Sequence, residues 1–424
     1  MNRPLAVLLL AASPALLAQT PLHLTLAEAE QAALKNYPRL EASRLQAQAA
    51  SLVPTEIRSQ YLPTLSGALT GVGADSGSRL AAGGLNNPVV YNRLGAGLIL
   101  SQTLTDFGRT SRLAQSAALH AQAMRELTDD VRAQLLLDVR RAYLGELRAV
   151  ALTGVAQRTV EARQLVYDQV SILARNGLKS ELDARFAAVN VSDAKLLLAD
   201  ARNRVQAASA ELSALTGLPA PVGFTLVEPP PALDLADFEA SLQDSLRLRP
   251  DLQAFRSEQQ SAERQVAADK ALWFPTIQAF GAAGFAPAAE DPVRSRYGAV
   301  GVNVNVPIFN GGLFKARRQE SEYRALAAAQ QVRDLEMRIR RDARVAWLNL
   351  MTARERLSLA AELVEQARMA LDLAQGRYDL GLGSMVELSQ SQLTLTSAEV
   401  AQTSARYDTA IGRAELDYQL GLGS

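Results

Sequence analysis

Four carboxylates stand out because the chain carries them as two matched pairs. Asp168 and Asp372 each lie nine residues before a glycine, Gly177 and Gly381. Glu161 and Glu365 lie seven residues earlier still. Seven residues is about two helical turns, so each Glu shares a helix face with its Asp. Carboxylates repeated at one height around an axis would form rings that attract cations and repel anions. The same residues also fit a solvated outer face paired with arginine, for which Arg158, Arg163, Arg368 and Arg377 are at hand. No other grouping has the spacing of a reactive site. His23 and His120 are isolated and have no counterparts in the matching half, as expected of surface residues. The chain has no cysteine, so it has neither thiolate chemistry nor a disulfide framework. No metal-ligand spacing and no glycine-rich phosphate loop occurs. No cofactor and no catalytic step are expected.

The paired carboxylates belong to a wider duplication. Leu34, Pro38, Leu40, Ala42, Arg44, Pro63 and Thr64 recur 212 residues later, from Leu246 to Thr276. From Gly108 and Gly312 onward the offset is 204, and it holds as far as Leu218 and Leu422. The change of eight marks a shorter loop in the second copy. A repeat this long is a duplicated half rather than a solenoid unit, so internal pseudo-symmetry is expected.

Composition narrows the class. Lys and Arg balance Asp and Glu at 44 each, and the basic residues are spread out, so nucleic acid is not an expected partner. Arg3 precedes an apolar run from Leu5 to Ala12, and Leu16-Leu17-Ala18 offers a small residue for cleavage. Residues 1–18 therefore have the layout of a secretory signal peptide. No Cys follows the run, so an N-terminal lipid anchor is not expected. Beyond residue 20 there is no run of 18 apolar residues, which excludes a helical membrane span. An exported chain of this kind is either soluble or built as a β-barrel.

Each half repeats one order of elements: short helix, longer helix, two strands, very long helix, turn, long helix. The first repeat covers 19–218, with strands at about 62–74 and 91–104 and a helical hairpin over 109–217. A stiff linker rich in proline covers 219–235. The second repeat covers 236–424, with strands at about 275–285 and 297–308 and a hairpin over 313–421. Val300, Val302, Val304, Val306 and Ile308 alternate with Gly301, Asn303, Asn305 and Pro307, which gives one apolar and one polar face. Leu94, Ala96, Leu98, Leu100 and Leu104 do the same in the first half. Tyr61, Phe107, Trp273, Phe274 and Phe309 cluster at the strand ends, as an interfacial girdle would. Segments 75–88 and 286–296 are polar loops.

From Arg109 to Arg175 and from Leu313 to Asp379 run 67 residues each without proline. At about 1.5 Å per residue, each would make a helix roughly 100 Å long. Leu127, Val131, Leu135, Val139, Tyr143 and Leu147 are spaced by four, so the stripe drifts around the helix and needs neighbours on more than one side. Asn176-Gly177-Leu178-Lys179 and Leu380-Gly381-Leu382-Gly383 form compact tips. Ser180 with Asp183, and Ser384 with Glu387, are expected to form capping boxes for the returning helices.

Four strands cannot close a barrel, and open edges in lipid cost several kcal/mol per unpaired group. Closure needs several copies; three is the smallest number that leaves a usable lumen.

The runs Leu100-Ser-Gln-Thr-Leu-Thr-Asp-Phe-Gly-Arg109, Val306-Pro-Ile-Phe-Asn-Gly-Gly312 and Tyr378-Asp-Leu-Gly-Leu-Gly-Ser-Met-Val-Glu-Leu388 resemble those of TolC-type outer membrane efflux proteins. The resemblance covers the mature chain in register with both repeats. It implies an α+β membrane protein, a homotrimer whose twelve-stranded β-barrel crosses the outer membrane above an α-helical periplasmic barrel. Implied partners are a periplasmic adaptor, an inner-membrane transporter and outer-membrane lipid. The implied role is the passive exit duct of a tripartite efflux or type I secretion system. Asn176, Gly177, Leu178, Leu380, Gly381 and Leu382 match the tips that meet the adaptor in that family. Asn176 departs from the family's apolar pattern. Asp168 and Asp372 match the acidic residues near the periplasmic entrance in that family, and Glu161 and Glu365 join them as candidates by spacing alone. The rival reading is a soluble periplasmic coiled-coil scaffold or adaptor, which leaves the four alternating strands unexplained.

Overall fold

A computed structural model describes residues 22–73, 93–218, 224–230, 238–285 and 295–422. The signal peptide at 1–18, the loop at 75–88, most of the loop at 286–296 and the outer parts of the linker lie outside the described residues. Element order is β1 (Leu22–Leu24), α1 (Leu26–Asn36), α2 (Pro38–Arg58), β2 (Thr64–Val72), β3 (Arg93–Thr105), α3 (Arg109–Arg175) and α4 (Glu181–Thr216). It continues with β4 (Phe224–Leu226), α5 (Phe238–Leu248), α6 (Pro250–Lys270), β5 (Thr276–Phe285), β6 (Arg296–Asn305), α7 (Leu313–Asp379) and α8 (Met385–Gln419). Among the described residues no helix is long and apolar enough to cross a membrane. The chain forms two compact units, and both draw on both repeats.

One unit holds the four-stranded sheet, with Pro38–Gln134, Ala236–Val345 and the segment from Asp417. Strand order is β2-β3-β5-β6, antiparallel throughout. Register sorts the side chains into two faces, because residues directly opposite share a face. Leu65, Leu69, Leu94, Leu98, Leu100, Ala283, Phe285, Val300, Val302 and Val304 fall on one face, which is apolar apart from Gln102 and Arg296 near the strand ends. Thr64, Ser66, Thr70, Ser101, Gln278, Asn303 and Asn305 fall on the other, with Phe280 and Tyr297 among them. The two rings lie over glycines. A Cβ on Gly301 would meet Phe280 at 2.4 Å, and one on Gly97 would meet the Tyr297 hydroxyl at 2.3 Å. Register shifts between Thr103 and Thr105, so Leu104 drops out of the alternation expected of it. β6 ends at Asn305, which leaves Val306 and Ile308 beyond the strand.

In the same unit Asp106 closes the step from strand to helix. Its carboxylate accepts from Thr110 N at 2.7 Å, Gly108 N at 3.1 Å and the Tyr61 hydroxyl. Phe107 stacks on Phe274 at 5.6 Å, and Trp273 meets Phe314 edge-on at 5.8 Å. Leu252, Val332 and Ile339 make a buried cluster that fastens α6 to α7. His120, expected to be isolated, pairs with Glu258 at 2.8 Å; α6 brings the carboxylate alongside α3, which sequence distance conceals.

The other unit contains α1, α4, α8 as far as Leu416 and the remaining lengths of α3 and α7. It also holds two strands absent from the sequence reading. β1 and β4 pair in parallel over three residues each. Tyr143 of α3 fastens them: its hydroxyl lies 2.8 Å from Leu24 O and 2.6 Å from Val227 O, and accepts from Val227 N at 3.0 Å. Around Tyr143 the helix is buried on several sides, at Leu135, Leu136, Leu137, Val139, Ala142 and Leu144. This matches the drifting stripe, because a helix with one neighbour buries only one face.

Candidate functional site

The two tips lie in this second unit and share a backbone design. α3 ends with Leu178 N bonding Leu173 O at 2.9 Å and Gly177 N bonding Ala174 O at 3.0 Å. α7 ends with Leu382 N bonding Arg377 O at 2.8 Å and Gly381 N bonding Tyr378 O at 3.1 Å. Each end pairs a six-to-one with a five-to-two bond, which is a Schellman stop and requires a left-handed residue. Gly177 at φ 71° and Gly381 at φ 74° supply it. In such a stop the second residue past the helix usually packs back on the last turn. Here Leu178 and Leu382 are each 69 % exposed and Leu380 is 76 % exposed, so the tips present leucine to solvent. Asn176 is exposed as well, and its side-chain amide folds back along α3 to donate to Ile172 O at 3.0 Å.

The capping boxes expected after the tips form only in part. Ser180 accepts from Leu182 N at 3.1 Å, and no bond returns from Asp183. Ser384 accepts from Glu387 N at 3.1 Å, but the Glu387 carboxylate pairs with Arg377 at 3.1 Å instead. The guanidinium is a charged partner, which outcompetes a neutral N–H for a carboxylate.

The tips are fastened to each other. Lys179 donates to Tyr378 O at 3.0 Å and sits 3.9 Å above the Tyr378 ring. Burial pushes the Tyr378 phenol up. Asn190 donates to the Ser389 hydroxyl at 2.7 Å. Val166, Val170, Ala187, Tyr378, Met385 and Leu388 form one apolar cluster behind these contacts. Lys179 and Asn190 escape sequence reasoning because neither has an equivalent in the other repeat: Gly383 and Thr394 stand there.

All four carboxylates are exposed within the chain. Gln157 donates to Glu161 at 2.9 Å and Gln164 to Asp168 at 3.0 Å, both along α3. Three of the four arginines at hand, all but Arg158, are engaged elsewhere. Arg163 is buried and donates to Asn190 O at 3.0 Å, and burial lowers its pKa. Arg368 pairs with Glu399 at 3.3 Å, and Arg377 with Glu387. Among the described residues, no basic side chain pairs with Glu161, Asp168, Glu365 or Asp372. No cluster of metal-ligating residues occurs among the described residues.

The tip leucines and the four carboxylates all lie at exposed surfaces. Residues 29–218 and 241–422 match the family described as "Outer membrane efflux protein". The chain belongs to the outer membrane efflux protein family. Among curated relatives, the outer membrane protein TolC of Salmonella enteritidis is 25% identical, over 92% of this chain and 80% of its own length. The solvent efflux pump outer membrane protein SrpC of Pseudomonas putida is 26% identical, over 86% and 78%. The crystal structure of the outer membrane protein VceC from Vibrio cholerae superimposes with a TM-score of 0.82, covering 93% of this chain and 96% of that one. At 18% identity that likeness speaks for the fold alone. As an efflux-family member the chain is an outer-membrane protein with an α+β fold, and the alternating sheet is the part of it suited to lipid.

Proposed function

We propose that the chain is the exit duct of a tripartite efflux or type I secretion system, acting passively as a homotrimer. The observation that carries this is the four-stranded sheet, apolar on one face and polar on the other, with β2 and β6 as open edges. Leu69 at 77 %, Val300 at 90 % and Val302 at 61 % exposed give a surface that water would penalise and lipid would accept. Edges in lipid must be paired, and further copies of the sheet can pair them. Twelve strands from three copies would enclose a lumen lined by the polar face. Exposed apolar residues along the helices, among them Leu359, Leu363 and Leu373 of α7 and Phe186 and Val189 of α4, support packing between copies.

In this reading the Gly177 and Gly381 tips meet a periplasmic adaptor, and an inner-membrane transporter supplies both cargo and energy. Asn176, Leu178, Leu380 and Leu382 are the contact residues, in keeping with leucines left exposed. Asp168 and Asp372, and behind them Glu161 and Glu365, form carboxylate rings at the periplasmic entrance and favour cations. Their lack of arginine partners supports this. Export by a cleaved signal peptide, without lipidation, delivers the chain to the outer membrane.

Cross-linking tests the assembly. The chain has no native cysteine, so Leu65→Cys and Val302→Cys, on β2 and β6, report only on the new pair. Disulfide ladders ending at three chains in intact membranes are expected. Only monomers, in protein that folds and inserts, would overturn the trimer.

A further inference from the structure

The unit built around Tyr143 contains a carboxyl that its surroundings do not explain. Glu146 of α3 is 2 % exposed, and its Oε2 has no hydrogen-bond partner. Burial pushes its pKa from 4.5 up to about 7, eased in part by a hydrogen bond from the Ser209 hydroxyl of α4. The duplication provides an internal control. At the offset of 204 the matching residue is Leu350, 1 % exposed and packed near Gly412 of α8. A leucine therefore satisfies this place in the fold. A carboxyl there costs desolvation that leucine avoids.

Among the described residues, no neighbour supplies a countercharge. On α3 itself, Arg140 is taken by Glu30 of α1 at 2.6 Å and Arg148 by Asp408 of α8 at 2.8 Å. Arg141 of α3 is taken by Glu415 of α8 at 2.8 Å. Glu28 of α1 is bound into the cap at Thr25, and Glu211 of α4 is exposed. Glu228, just past β4, is held by Arg406 and Tyr407 of α8. Tyr143, one turn before Glu146, is committed to the β1 and β4 backbone.

We propose that Glu146 is a proton-linked latch on the first helical hairpin, holding α3 against α4 when protonated and loosening that pairing when ionised. The sign follows from linkage. Once the pairing opens, the carboxyl returns to its ordinary value; while closed, it keeps its proton to higher pH. Between about pH 4.5 and about pH 7 the closed form thus holds a proton that the open form has lost. Closure weakens about tenfold per pH unit across that window and levels off above it. Tyr143 lies one turn away, so loosening reaches the β1–β4 pair. The latch concerns packing inside one chain, and it stands or falls independently of the duct reading.

Hydrogen exchange of the full-length protein in detergent tests it, at about pH 5 and about pH 7.5, corrected for intrinsic exchange. In the wild type, protection over residues 142–150 and 205–213 should fall by about two orders of magnitude. In Glu146→Leu and Glu146→Gln it should stay level. An equal fall in both variants, or none in the wild type, would overturn the latch. Infrared spectra at about pH 6 give a second readout, should Glu146→Leu fail to fold. The wild type minus Glu146→Gln difference should contain a neutral carboxyl band, and its absence would overturn the latch as well.

Discussion

Tyr143→Phe removes one oxygen and no apolar volume, so it isolates the hydrogen bonds that clamp β1 to β4. The hydroxyl has a single proton, shared between Leu24 O at 2.8 Å and Val227 O at 2.6 Å, and it accepts from Val227 N at 3.0 Å. Without it, Val227 N keeps only its bond to Leu24 O, at 3.3 Å. One donated and one accepted bond are lost, each worth about 1 kcal/mol net, in a place where Tyr143 itself is fully buried. The clamp should lose about 2 kcal/mol. Because three-residue strands open locally, hydrogen exchange at the β1 and β4 amides is the right assay. Protection there should fall about thirtyfold, and protection in the four-stranded sheet should stay unchanged. Tyr143→Ala adds a cavity and should cost about 3–5 kcal/mol. If Tyr143→Phe left the β1 and β4 amides within twofold of wild type, the hydroxyl would not be the clamp.

Other positions give equally direct expectations. Asp168→Ala with Asp372→Ala should lower cation selectivity and relieve block by trivalent cations; unchanged reversal potentials would remove the carboxylates from the entrance. Arg249→Met strands the Asp251 carboxylate, now paired at 2.7 Å with side chains only 9%/14% exposed, and should cost about 3–5 kcal/mol in thermal or chemical unfolding. Gly284→Ala should disrupt the sheet, since its Cβ would sit 2.6 Å from Ala96 O, whereas Gly281→Ala should be tolerated with its nearest neighbour at 3.7 Å. Heat stability of the assembled protein on gels separates the two. Ser384→Ala removes the acceptor for Glu387 N and should cost about 1 kcal/mol, read as lower exchange protection in the first turn of α8.

Much of the fold is legible because the signals are periodic or duplicated. Val300, Val302 and Val304 alternate over a strand long enough to show a period of two. Gly177 and Gly381 recur in register and both prove left-handed. What escaped lacks a period. β1 and β4 are too short to show one, and their pairing depends on a tyrosine far away in sequence. Leu104 looked alternating because a bulge leaves no mark in composition. Ser180 and Ser384 have the right spacing for capping boxes, yet a nearby guanidinium claims Glu387, and sequence does not reveal that competition. Glu146 reads as an ordinary exposed helix residue until its burial is known. Its one sequence signal is the mismatch with Leu350 in the other repeat.

The duct claim is tested most directly by single-channel recording of the purified protein in a planar bilayer, with the reversal potential measured under a salt gradient. Small, stable, cation-selective conductance steps are predicted, from a lumen closed by three sheets and narrowed by carboxylates at its periplasmic end. Protein that is folded by circular dichroism yet neither inserts nor conducts would contradict the account and favour a soluble periplasmic scaffold built on the same hairpins.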